Sequence, residues 1–272
     1  MNGSMINAMV SMNSLQQKLD LLADNIANAN TVGYKRKEAS FEDLLSTKTQ
    51  QPSGFSQPGR LTPLGFNQGW GARLGMIQPD LAQGPLKQTD EQYDVAITGD
   101  ALLEVITDTA GTRAYTRNGA LQLTMDNTGS SFLTTKDGYA ISDVDGNRIE
   151  IPSEVQSLRI DADGSLVGET AAGAVALGQI KLVQALKPAL LSQVADNLYT
   201  VADGMNVADV LRTVTAAADN DISIRQGYLE QSNVNLANEM TELINVQRAY
   251  QLSSRALSSS DTMLGLANSL RG

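Results

Sequence analysis

The chain has 272 residues, a formal net charge of −10, no cysteine and no histidine. Disulfide frameworks, thiolate or imidazole catalysis and zinc fingers are thereby excluded, and the acidic balance argues against a phosphate-backbone binder, which gathers Lys and Arg on one face. Hydrophobic residues make up 42% but aromatics only 4%, so the core must rest on Leu, Ile, Val, Ala and Met.

The first 30 residues predict a helix. Met5, Ala8, Met12, Leu15, Leu19, Leu22 and Ile26 recur in steps of three and four, a heptad seam suited to packing one helix along another. Asn28, Asn30 and Gly33 then supply stop signals. The other faces carry Asn, Ser and Gln rather than the Lys and Glu of a helix facing water, so neighbours are expected to cover them. No Lys or Arg precedes Lys18, so no cleaved leader is expected. No stretch approaches the ~20 apolar residues of a membrane helix.

A short helix is expected around Phe41, Leu44 and Leu45. Residues 47–88 then hold five of the seven prolines (Pro52, Pro58, Pro63, Pro79, Pro85) and seven glycines. Such a composition cannot sustain long helices and reads as an extended arm, ordered only where other surfaces hold it. From residue 93 to about 201 the hydrophobic period changes to two. Segments 93–98, 102–107, 120–125, 158–160 and 178–183 read as short strands. They are separated by Asn118-Gly119, Asp137-Gly138, Asp145-Gly146 and Asp163-Gly164, pairs that tolerate positive φ. This predicts a compact all-β domain ending near Asp203-Gly204.

Residues 233–269 predict a second long helix. Leu236, Leu243, Tyr250, Leu257 and Leu264 sit seven apart, while the companion positions run Met240, Gln247, Ser254, Asp261 and Asn268. Only one edge of this seam is fully apolar, and a helix with so thin a stripe needs partners. The first helix leads towards the β domain and the last leads away, so pairing along their seams would be antiparallel. The expected fold is therefore α+β: long antiparallel N- and C-terminal helices paired as a coiled coil, a central all-β domain and an extended Pro/Gly-rich arm. Its domains are 1–34, the N-terminal heptad helix; 35–90, the short helix and arm; 91–205, the β domain; 206–232, a connector; and 233–272, the C-terminal heptad helix. Candidate assembly residues are Met5, Met12, Leu15, Leu19, Leu22, Ile26, Asn28, Leu236, Met240, Leu243, Gln247, Tyr250, Leu257 and Leu264.

Charge follows the same division. Residues 1–30 and 231–272 carry five acids (Asp20, Asp24, Glu239, Glu242, Asp261) and four bases (Lys18, Arg248, Arg255, Arg271), which leaves −9 for the middle. Nearly neutral ends can touch several neighbours without like-charge repulsion, whereas the acidic middle keeps monomers apart.

Motifs that carry chemistry are few. The 30 acids could supply a carboxylate pair for glycosidic hydrolysis, but they cluster at turns, where Asp caps its own backbone. Asp143-Val144-Asp145-Gly146-Asn147 and Asp161-Ala162-Asp163-Gly164-Ser165 only faintly resemble calcium loops. Neither supplies three oxygen ligands before its glycine with a Glu at the twelfth position, so both read as β-turns. Gly69-Trp70-Gly71-Ala72-Arg73-Leu74-Gly75 has one residue too many for a dinucleotide fingerprint and no preceding strand. No cofactor, metal or catalytic residue is expected.

Ala23-Asp24-Asn25-Ile26-Ala27-Asn28-Ala29-Asn30-Thr31-Val32-Gly33-Tyr34-Lys35 closely resembles the N-terminal signature of flagellar rod and hook proteins. Leu229-Glu230-Gln231-Ser232-Asn233-Val234-Asn235-Leu236 and Gln247-Arg248-Ala249-Tyr250 resemble its C-terminal counterpart. Tyr93-Asp94-Val95-Ala96-Ile97-Thr98-Gly99, Tyr115-Thr116-Arg117-Asn118-Gly119 and Asn197-Leu198-Tyr199 resemble the family's central β domain. The chain departs from the pattern at Asp24, at Asp100-Ala101-Leu102-Leu103 and at Gln184-Ala185-Leu186. The resemblance implies a non-enzymatic structural subunit of the basal-body rod that assembles helically with copies of itself and with other rod and hook proteins. It implies passage through the flagellar type III export machinery without a cleaved signal, no nucleic-acid partner and no direct membrane insertion. The arm over 47–88 resembles a segment of distal-rod members, so a distal-type subunit is expected. A proximal rod or rod–hook junction subunit is the alternative, and a carboxylate-dependent envelope-remodelling enzyme a remoter one.

Overall fold

No proline occurs before Pro52, and helix α1 (Asn2–Ala27) runs uninterrupted through the predicted seam until Asn28-Ala29-Asn30 and Gly33 end it. The computed structural model describes residues 2–44, 47–49, 66–108, 111–126, 129–195, 197–202, 204–215 and 221–270. Contacts divide the chain into two units, one of Met1–Ile26, Glu38–Ile77 and Leu236–Gly272, the other of Ala27–Lys37 and Gln78–Asn235.

In the first unit, α1 is joined by a ribbon and by the last helix. The ribbon pairs β1 (Lys37–Asp43) with β4 (Ala72–Pro79), and β2 (Thr47–Thr49) with β3 (Phe66–Gln68). Phe41 therefore lies in a strand and not in the short helix expected there; Leu45, like most of the arm's prolines, falls outside the described residues. Three apolar residues cannot repay helix nucleation, whereas β4 offers a ready hydrogen-bonding partner. The ribbon packs on α1 of its own chain. Asn7 Nδ2 donates to Gly69 O at 2.8 Å, a Cβ added to Gly71 would lie 3.1 Å from Val10, and Lys18 Nζ sits 5.2 Å from the centre of the Phe41 ring.

The last helix, α3 (Leu236–Ser269), spans 34 residues, about 50 Å at the α-helical rise. Its expected pairing with α1 as a long coiled coil is overturned. Polar contacts join the two helices instead: Asn25 Nδ2 donates to Glu239 Oε2 at 3.2 Å, and Lys18 Nζ lies 2.5 Å from Glu242 Oε1. Beyond Val246 none of the described α3 residues is buried. The cause is the companion edge of the seam. Gln247, Ser254 and Asp261 are polar, and knobs-into-holes packing requires apolar side chains at both positions. Among the described residues no helix is long and apolar enough to cross a membrane.

The second unit is the β body. Its largest sheet runs in the order β12 (Glu150–Ile151), β10 (Ser131–Thr135), β11 (Ala140–Ile141), β7 (Leu102–Ile106), β8 (Arg113–Thr116), β18 (Leu198–Val201), β17 (Leu191–Ala195). β9 (Leu121–Met125) adds to β10, and β16 (Leu182–Ala185) bridges β7 to β19 (Leu211–Val214). A second sheet stacks β13 (Val155–Ile160), β14 (Ser165–Thr170) and β15 (Gly173–Gln179). Two pairs close the body: β20 (Ser223–Gln226) with β6 (Val95–Thr98), and β21 (Tyr228–Glu230) with β5 (Leu86–Gln88). A one-turn helix, α2 (Val207–Val210), is capped by the Asn206 side chain.

β7 is central and buried along its whole length. Period-two alternation sends Leu103 and Val105 into the main core, with Leu133, Ile141, Leu166 and Leu182, and sends Leu102 into a second cluster with Tyr115, Val183, Tyr199 and Leu211. Each fully buried Leu contributes roughly 1.5–3 kcal/mol. The predicted turn glycines Gly138, Gly146 and Gly164 have φ of 88°, 83° and 87°. Gly119 is needed for another reason: a Cβ there would lie 1.8 Å from Val95 O. The body also extends past Gly204, because β19, β20 and β21 return from the expected connector to pair with β16, β6 and β5.

Candidate assembly interface

The terminal helices carry the candidate residues at different depths. On α1, Leu22 is buried and Met5, Met12, Leu15, Leu19 and Ile26 are half-buried. Asn28 is half-buried in the turn after α1, where its Oδ1 accepts from Thr31 Oγ1 at 3.1 Å. On α3, Leu243, Tyr250, Leu257 and Leu264 are half-buried, while Leu236, Met240 and Gln247 are exposed. Several exposed apolar side chains were not among the candidates: Ile6 and Met9 on α1, Leu252, Met263 and Leu266 on α3, and Leu270 just beyond it at 87% exposure. A heptad template reports where two long helices would meet. It misses apolar residues on the opposite faces, and these a 3.6-residue survey of the whole helix surface would find.

The segments that lead out of α1 and into α3 belong to the β body, and a buried charge cluster fixes them there. Glu230, at the end of β21, accepts from Lys35 Nζ at 2.8 Å, from Arg117 Nε at 2.5 Å and from Gly84 N at 2.8 Å. All three charged side chains are at most 2% exposed. Lys35 Nζ also donates to Ala82 O at 2.8 Å and Leu81 O at 3.2 Å, and Arg117 to Ile97 O at 2.9 Å and to Ala101 O. Burial, reinforced by the Arg117 charge, lowers the pKa of Lys35, and Glu230 acts in the opposite direction. Both carboxylate oxygens thereby accept from a donor, which is the condition for burying such a group.

Neighbouring contacts complete the junction. Gly33 N donates to Glu230 O at 2.8 Å; its φ is +69°, and a Cβ would meet Arg117 C at 2.7 Å, so only glycine fits. Asn233 Oδ1 accepts from Arg36 N at 2.7 Å while its Nδ2 donates to Asp80 O at 2.9 Å and Ala82 O at 3.0 Å. Asn197 Nδ2 donates to Val32 O at 2.8 Å. Distant stretches, around residues 32–36, 80–85, 97–119, 197 and 228–233, are sewn together by side chains outside the helical seams. Lys35, Arg117, Glu230, Asn197 and Asn233 all lie inside the motifs that carry the family resemblance, and that was the available signal.

The junction's polar groups spend their hydrogen-bonding capacity on one another, and among the described residues no cluster of three or more Asp or Glu is placed to hold a metal. What the geometry does is tie residues 33–36 and 228–233 into the β body, while the helices carry exposed apolar side chains.

Comparison with known proteins adds three family matches in chain order. Residues 5–35 match the flagella basal body rod protein family, 96–168 the flagellar hook protein FlgE/F/G D1 domain, and 225–270 the flagellar basal body rod FlgEFG protein C-terminal family. The chain is 34% identical over 275 residues to the flagellar hook-basal body complex protein FlhP of Bacillus subtilis, covering 98% of this chain and 99% of that protein. It is 34% identical over 266 residues to the flagellar basal-body rod protein FlgG of Borreliella burgdorferi (96% and 95% covered), and 35% identical over 275 residues to FlgG of Bacillus subtilis (96% of each).

Proposed function

Because the chain belongs to the flagellar basal-body rod protein family, we propose that it builds the rod by presenting the exposed apolar side chains of α1 and α3 to neighbouring subunits. It is a structural subunit of the flagellar basal body, and that is where it resides. The observation that carries the assembly reading is the set of exposed apolar side chains on α3, Met240, Leu252, Met263 and Leu266, on a helix with few charges. Exposed apolar rows of this kind are the mark of an interaction surface. A head-to-tail contact that does not close into a ring makes a filament. Copies of the chain and other rod and hook proteins are the partners, and the role is scaffolding without catalysis.

The same reading has the chain travel unfolded through the flagellar export machinery. A sequence without cysteine has no covalent cross-link to undo before such passage. The net charge of −10 speaks against nucleic acid as a partner. The ribbon between α1 and the β body favours a distal-type position in the rod. Electron microscopy of basal bodies from a deletion strain tests the whole reading. Construction should halt before the hook, and complete hook-bearing basal bodies would refute it.

A further inference from the structure

The sheet of β13, β14 and β15 has two outer edges, and the chain treats them differently. Side chains of the same body close the β13 edge. Gln226 Oε1 accepts from Ile160 N at 3.0 Å, while Gln226 Nε2 and Gln92 Nε2 donate to Leu158 O at 2.8 Å and 3.2 Å. The β15 edge is open. Gln179, at its far end, is held by Asp143 and Val144, but among the described residues Gly173–Ala176 pair only with β14. A bulge at Leu177 ends that regular stretch. Ladder alternation turns the N–H and C=O of every second residue outward. From Thr170 to Ile180 there is no charged residue and no proline, so this edge lacks the devices that keep open strands from pairing. Gly173, Ala174, Val175 and Ala176 are all exposed, Val175 at 46%.

Two features identify what covers it. Residues 31–230 carry −9, so a second body meets like charge over much of the surface but not along this uncharged edge. The edge is also its own complement. Ala174-Val175-Ala176 reads the same in both directions. An antiparallel second copy centred on Val175 therefore sets Val175 opposite Val175 and Ala174 opposite Ala176, and the outward backbone groups of each strand meet those of the other. We infer that two copies of the chain pair β15 to β15, joining their three-stranded sheets into one continuous sheet. Main-chain hydrogen bonds supply the affinity and the small side chains let the strands approach. Such a contact is two-fold and closes at a dimer. It is an association of the free chain, separate from the head-to-tail contacts that build a filament, and does not depend on the rod reading.

The chain has no cysteine, so a single introduced one reports its own partner. Purified full chain carrying Val175→Cys, oxidised with copper–phenanthroline, should form a disulfide-linked dimer, because directly opposed residues bring their Cβ atoms to about 4.5–5.5 Å, close to disulfide reach. Val207→Cys, at a position 49% exposed but away from this edge, should cross-link about tenfold less. Adding Ala174→Lys to Val175→Cys puts a charge on the edge and should cut the yield about tenfold; Ala174 is exposed, and a thermal melt checks that the fold is kept. The cross-link should persist when Leu252→Asp and Leu266→Asp are added. Equal yields at positions 175 and 207 overturn the inference. So does a Val175→Cys yield indifferent to Ala174→Lys, or one lost with the two α3 substitutions, which would place the association on the helix and leave the rod reading standing.

Discussion

Glu230 and Lys35 lie 195 residues apart in sequence, yet they form a 2.8 Å ion pair in which neither side chain is more than 2% exposed. Removing the shared acid leaves two buried cations, Lys35 and Arg117, without the carboxylate that bridges them. Glu230→Ala is expected to cost about 3–5 kcal/mol, read as a shift in the urea midpoint. Lys35→Met should cost clearly less, because Glu230 keeps Arg117 and Gly84 N as partners. Equal losses for the two variants would show that the carboxylate is not the hub.

Gly33→Ala should destabilise by about 2 kcal/mol or more, since it combines a left-handed φ with a clash against the Arg117 backbone. Gly111 also has positive φ (84°), but no described residue lies within 4 Å of the Cβ position there, so Gly111→Ala should cost only the conformational part. Thermal melts of the two variants side by side separate strain from collision.

Alkaline stability has a defined sign. Burial raises the Tyr115 phenol to about 12 and pushes Tyr199 up as well. From pH 10 upwards the unfolded chain releases protons that the native state still holds, so this stability is present below pH 10 and falls as pH rises towards 12. Lys35 works the other way. Its pKa is depressed below 10.5, so its contribution is complete above that pH and is lost as pH falls through the native value. Urea unfolding at pH 9, 10 and 11 should show a decline above pH 10 that is flatter in a Tyr115→Phe, Tyr199→Phe variant.

Exposed and buried leucines of the terminal helices should separate folding from assembly. Leu252→Asp and Leu266→Asp alter side chains that are each 64% exposed, so stability should change by no more than about 0.5 kcal/mol, while swimming on soft agar is lost. Leu22→Asp, at a position 1% exposed, should lower stability as well. Normal swimming by the Leu252, Leu266 double variant would remove α3 from the assembly surface.

Much of the local structure was legible in the residues. The step of three and four from Met5 to Ile26 marked α1, and the alternation around Leu102–Ile106 marked β7. Asp-Gly pairs placed the turns at Gly138, Gly146 and Gly164. These features depend on neighbours within a few positions, which sequence displays directly. Phe41 was misread because a short apolar patch has no decisive period and its partner strand β4 begins some thirty residues later. Apolar spacing on each helix predicts a seam but not contact between the two helices, and the polar edge at Gln247, Ser254 and Asp261 works against a paired coiled coil.

What the sequence by itself determined is the kind of surface each segment carries: two nearly neutral helical ends, an acidic β-forming middle, and no residues for thiol or imidazole chemistry. The tertiary structure alone decided which surfaces meet. A lysine, an arginine and a glutamate look like ordinary solvated charges wherever they stand in a chain. Only when β5, β8 and β21 bring residues 84, 117 and 230 together with Lys35 does water leave and the charge cluster form, because burial is a property of the assembled neighbourhood and not of any single stretch.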